Sequence, residues 1–225
     1  MVEIPPKFSS PSLLPTVLSS HLIPSQKQAY YACALYGYQD TLLTNIGRQL
    51  YAKTYIEGAT DFIFGQRSRA WFERCDIGVV PLLPDSKNNG TIPPHGWITA
   101  SGRSLDDDGW YVIHKSTVDA SAHFTRGAKG KVADGAYFLG RPWRNFARVV
   151  FQRTELGRVV NPAGWAIWNV GDERTDEVVY GEFKNKGPGA KGERAAFAVE
   201  LGEEVAVETV LGDGYEGWVD GKFLK

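Results

Sequence analysis

A signature of three side chains recurs along this sequence: a large apolar residue, a Cys, Thr or Ser three positions later, and an aliphatic residue two positions after that. Tyr30, Cys33 and Leu35 make the first copy. Tyr51, Thr54 and Ile56 follow 21 residues on, and Phe72, Cys75 and Ile77 a further 21. After longer insertions the signature returns as Ile113, Ser116 and Val118, and then as Phe151, Thr154 and Leu156. The segments are short, rich in β-branched and aromatic residues, and bounded by Gly, Asn or Asp, as strands are. Strands at a period of ~20 residues, with no convincing helix between them, predict a β-solenoid in which each repeat is one coil stacked on the last. An antiparallel sandwich with fortuitous spacing is the competing reading. Insertions such as residues 84–109 are expected to be loops on the coils. Residues 155–225 carry a weaker pattern and are expected to cap the end with strands and loops.

The chain has 225 residues and is 43% apolar, enough for one large domain with a real core. Its net charge of -1 gives no basic excess to favour nucleic acid. No apolar run approaches the ~18 residues that would span a bilayer. Prolines interrupt residues 1–25, which lack a basic start and an unbroken apolar stretch. They read as an irregular lead-in and not as a signal peptide. Cys33 and Cys75 share a column two coils apart, roughly 9–10 Å at the usual strand spacing. A disulfide needs Cα atoms within ~7 Å, so both are expected to be free core thiols.

The same register stacks two carboxylates. GYQDTLLTN (37–45) and GATDFIFGQ (58–66) place Asp40 and Asp61 in one column on successive coils. Carboxylates within ~5 Å do not both ionise readily, which sets a protonated acid beside an ionised nucleophile or base. Stacked Asp residues can equally cap turns or bind a cation. In YFLGRPWRNFARVVF (137–151), Arg141 can hold one Asp ionised if this segment forms the next wall of the coil, and Trp143 then offers a flat face to a sugar ring. Otherwise Arg141 is a surface ion-pair partner and Trp143 is core.

Other chemistries lack their residues. There is no Gly-x-Ser-x-Gly elbow. The four His show no metal-ligand spacing, and no metal site is expected. GPGAKG (187–192) matches a phosphate-binding pattern but has no βαβ unit around it. Asp106-Asp107-Asp108-Gly109 looks like a cation loop, and a solvated turn is the simpler reading.

GYQDTL, DFIFG and LGRPW, in that order, resemble the signature segments of the pectin methylesterases, carbohydrate esterase family 8. VVNPAGWAIWNVGDERTDEVVYGEF (159–183) is similar to the C-terminal region of the fungal branch. The resemblance covers about residues 26–225, taken as the catalytic domain after the lead-in of 1–25. It implies an all-β, right-handed parallel β-helix, the pectin lyase-like solenoid, with no cofactor. It implies that Asp61 is the nucleophile, that Asp40 is the general acid and then base, that Gln39 donates to the oxyanion, and that Arg141 orients the nucleophile. Trp143 is expected to pack on the polysaccharide. Phe64 and Trp168 are weaker groove candidates, expected more in the core than in contact. The partner implied is pectin, a methyl-esterified homogalacturonan, with no nucleic acid or membrane. A secreted monomer is the expectation. Two departures from the family pattern stand out: a second oxyanion Gln, due near Val17, is absent, and the family's early coils and helical cap are missing, as in an N-terminally truncated product. A pectin-acting glycoside hydrolase and a non-catalytic pectin-binding β-helix are the alternatives.

Overall fold

In the computed structural model the described residues are 18–19, 27–84, 89–123 and 131–225. The lead-in, including the place of the absent Gln near Val17, lies outside them apart from β1 (Leu18–Ser19). Each coil then contributes up to three strands. The first has β2 (Lys27–Tyr31), β3 (Ala34–Leu35) and β4 (Leu42–Leu43). The second has β5 (Ile46–Ala52), β6 (Tyr55–Gly58) and β7 (Thr60–Gly65). The third has β8 (Arg67–Glu73), β9 (Asp76–Val79) and β10 (Gly96–Ser101). The fourth has β11 (Trp110–His114), β12 (Thr117–Ala120) and β13 (Tyr137–Pro142). After β14 (Arg148–Gln152) and β15 (Glu155–Leu156), β16 (Val179–Phe183) and β17 (Ala198–Glu200) extend the stack, and helix α1 (Val207–Leu211) follows.

The strands form three parallel sheets that wrap one core as a right-handed parallel β-helix. The long sheet runs β17-β16-β14-β11-β8-β5-β2. The short sheet runs β15-β12-β9-β6-β3, and the site sheet runs β1-β4-β7-β10-β13. The register follows the repeat. Tyr30 pairs with Tyr51, Tyr51 with Phe72, Phe72 with Ile113 and Ile113 with Phe151. Leu35, Ile56, Ile77, Val118 and Leu156 form the second column. Tyr30 and Tyr51 stack with ring centroids 5.0 Å apart, and Tyr51 and Phe72 at 4.8 Å. Each fully buried side chain of this size contributes ~1.5–3 kcal/mol of transfer free energy. The long sheet is covered on its outer face too. There Leu50, Trp71, Val112 and Val150 pack with Val210 and Leu211 of α1, which is why its strands read as apolar runs.

The Cys/Thr/Ser column solves a backbone problem. Between the long and short sheets a single left-handed residue turns the chain, with φ between 47° and 51° at Ala32, Lys53, Arg74, Lys115, Arg153 and Lys184. The turn takes the next amide out of the ladder, and a buried N–H needs a partner. The Cys75 amide donates to Ser116 Oγ at 3.0 Å, the Ser116 amide to Thr154 Oγ1 at 3.4 Å, and the Thr154 amide to Asn185 Oδ1 at 3.0 Å.

Three expectations need correction. Residues 84–109 are not all loop, because Gly96–Ser101 is a central strand of the site sheet. Residues 155–225 do more than cap the end, since β16 and β17 continue the long sheet. Both thiols are free, but only Cys75 is buried. Cys33 is half-buried because it lies in the first described coil, with less protein stacked over it.

Candidate active site

The site is built where the chain leaves the short sheet. Gln39 bridges to Thr60, and the Asp40 amide donates to the Thr60 carbonyl at 3.3 Å, so Asp40 sits one coil below Asp61. Both Asp residues have left-handed backbones, φ 55° and 48°. Asp tolerates this region better than most residues. At Asp61 the pairing with β10 slips: Thr60 faces Trp97, yet Ile63 faces Thr99. Such a bulge re-aims a side chain off the regular pleat.

Arg141 reaches Asp61 from β13. Its Nε donates to Oδ1 at 2.9 Å and its Nη2 to Oδ2 at 2.7 Å, a two-pronged contact. Arg141 is in register with Ala100, and Ala100 with Phe64. The arginine therefore belongs to the wall two coils beyond Asp61, not the next one, because β10 intervenes. The small Ala100 lets it cross. The guanidinium lies 3.7 Å from the Trp97 ring centroid and 4.4 Å from that of Trp168. Two aromatic faces fix its plane and reduce its hydration, which strengthens the ion pair. Asp61 is only 8% exposed. Among the described residues Asp40 has no such partner, and burial, then the charge of Asp61, raises its carboxyl above the usual carboxylate range.

A groove of about 230 Å³ opens over the pair, lined by Gln39, Asp40, Asp61, Phe64, Ala100, Trp143 and Trp168. Every residue singled out from the sequence is thus at this place, with Arg141 just beneath. Phe64 and Trp168 are half-buried and line the groove, correcting their expected place in the core. Trp143 stands over Gly102, where an added Cβ would come within 2.4 Å of its ring. Sequence reasoning missed two residues. Trp97 backs Arg141. Arg174 lies 4.8 Å from the Trp168 centroid, donates to the Trp143 carbonyl and pairs with Asp172 at 2.6 Å. Trp97 lies outside the quoted segments, in a stretch expected to be loop, and Arg174, though inside the quoted 159–183 stretch, was given no role there.

The rival sites dissolve. Asp106 and Asp107 pair with Arg103 at 2.5 and 3.0 Å, and Asp108 with Arg69 at 3.2 Å. Pro188–Ala190 of GPGAKG is a short turn of 3-10 helix. Among the described residues no group of three or more His, Cys, Asp or Glu could hold a metal ion.

Residues 21–199 match the pectinesterase family. The chain belongs to the pectinesterases. It is 48% identical over 202 residues to a pectinesterase of Aspergillus niger, covering 89% of this chain, and 46% identical to one of Aspergillus aculeatus. The crystal structure of the Aspergillus niger pectin methylesterase in deglycosylated form superposes with a TM-score of 0.72 at 34% identity, over 87% of this chain and 57% of that one. The chain spans 56% of the length of both curated relatives. Among the described residues no helix is long and apolar enough to cross a membrane.

Proposed function

We propose that residues 26–225 carry the catalytic coils of a pectin methylesterase, which hydrolyses galacturonate methyl esters of pectin to pectate and methanol. One observation carries the reading. A carboxylate held in a two-pronged grip by Arg141 lies beside a carboxyl, Asp40, whose environment favours its proton. Asp61 attacks the ester carbonyl carbon. Gln39, exposed at the groove, donates its amide N–H to the developing oxyanion. As the carbon–oxygen bond breaks, Asp40 gives its proton to the departing methoxide, releasing methanol and leaving an acyl-enzyme on Asp61. Asp40, now ionised, takes a proton from water. That water attacks the acyl carbonyl and frees the galacturonate and Asp61. Trp143, Trp168 and Phe64 supply apolar faces for sugar rings. A wall polysaccharide as substrate goes with an extracellular protein.

Methanol release from methylated pectin, followed together with solution viscosity, tests this. The account predicts methanol without a fall in chain length. Shortened chains would point instead to a glycoside hydrolase. Pectin binding without either product would make the groove a binding site only. Loss of one oxyanion donor typically costs ~10²–10³-fold, so Gln39→Ala should lower methanol release by about that factor.

A further inference from the structure

We propose that the corner between the long and short sheets is a second carbohydrate site, one that binds de-esterified, polyanionic galacturonan. The choice of polyanion rests on the esterase reading; the site itself rests on geometry. After Ala32 in the first described coil, the single left-handed residue at this corner is Lys53, Arg74, Lys115, Arg153 and Lys184 on successive coils. Their amides step from coil to coil: Lys53 N–H to Glu73 O, Arg74 N–H to His114 O, Lys115 N–H to Gln152 O and Arg153 N–H to Phe183 O. The cations therefore repeat at about the strand spacing of ~4.8 Å along the solenoid axis.

The backbone does not explain these residue types. Non-Gly residues at positive φ are several-fold enriched in Asn, Asp and His, and none occurs here. A column of like charges at this interval is also self-repelling. Glu73 and Glu204 pair with Arg74 and Arg153 at 3.3 and 2.5 Å. Among the described residues Lys53, Lys115 and Lys184 make no ion pair, and all three are exposed. A trough of about 450 Å³ runs beside the ladder, lined by the cations Arg74, Lys115, Arg153 and Lys186 and by the carboxylates Asp76 and Glu155. Net charge there is positive on a chain whose total is -1. Galacturonan freed of methyl groups carries one carboxylate per sugar, an interval close to one coil. The site sheet, with Asp40 and Asp61, is a different wall, so substrate and product can be held together.

The test is binding of polygalacturonate to wild type, to Asp61→Asn and to the triple variant Lys53→Asn, Lys115→Asn, Lys184→Asn. Asn suits the left-handed backbone, so the variant should melt no lower than wild type. Expected is salt-sensitive binding, unchanged in Asp61→Asn and weakened about tenfold or more in the triple variant. Methanol release from a short methylated oligomer stays at its wild-type level, whatever that is. Undiminished binding by the folded triple variant overturns the proposal, as does loss of all binding in Trp143→Ala. An absence of esterase activity with this binding pattern intact would remove the esterase reading and leave the site standing.

Discussion

Arg141 grips Asp61 across an intervening strand, with contacts of 2.9 and 2.7 Å, while its guanidinium lies against the rings of Trp97 and Trp168. The arginine is therefore more than a counter-charge. Its fork sets the plane of the carboxylate, and the two neighbouring indole rings restrain the fork.

Arg141→Lys keeps the charge and loses both constraints. A misplacement of ~1 Å at a reacting group can cost ~10²-fold. Methanol release should fall by about that factor or more, with little change in melting temperature. Wild-type turnover in this variant would reduce Arg141 to a structural role.

Asp40 makes a prediction with a sign. Its raised carboxyl means that the folded protein binds this proton more tightly than the unfolded chain does. The resulting stability is fully present below the unfolded carboxylate pKa and is lost as pH rises through the folded value. Asp40→Asn should therefore gain melting temperature over wild type at neutral pH and lose that gain at about pH 3. Its turnover should drop ~10²–10⁴-fold, the usual worth of a general acid. Melting curves at the two pH values decide the first part.

Arg174 clamps Trp168 by its face and Trp143 by its backbone carbonyl. Arg174→Ala should loosen both rings. We expect KM for polymeric pectin to rise several-fold while kcat moves less. An equal fall in kcat at constant KM would instead place Arg174 in the chemistry.

Ser116 serves the fold. Its Oγ accepts the buried Cys75 amide at 3.0 Å. Ser116→Ala leaves that donor without its partner and should cost about 1–3 kcal/mol in chemical denaturation. A smaller loss would mean that the corner re-forms its bonds without the hydroxyl.

The solenoid was legible because its repeating side chains each do one physical job per coil. The aromatic and aliphatic columns fill the interior, and the Cys/Thr/Ser column binds the corner amide. The pattern failed where another residue took over the job. In the coil of β16 the columns read Glu182 and Asn185, and Asn185 does with an amide oxygen what Ser116 does with a hydroxyl. The carboxylate pair was legible because stacking preserves register. Trp97 was not, since the insertion between β9 and β10 breaks the 21-residue interval that would have aligned it with Thr60. Arg174 acts through ring faces, and no sequence period marks such a contact.

The most direct test of the central claim is methanol release from highly methylated pectin by the purified chain, with Asp61→Asn measured beside it. Release by the wild type that vanishes in the variant, with both equally folded, is the predicted result. Equal release from the two proteins would contradict the assignment of Asp61 as nucleophile and of this groove as the active site.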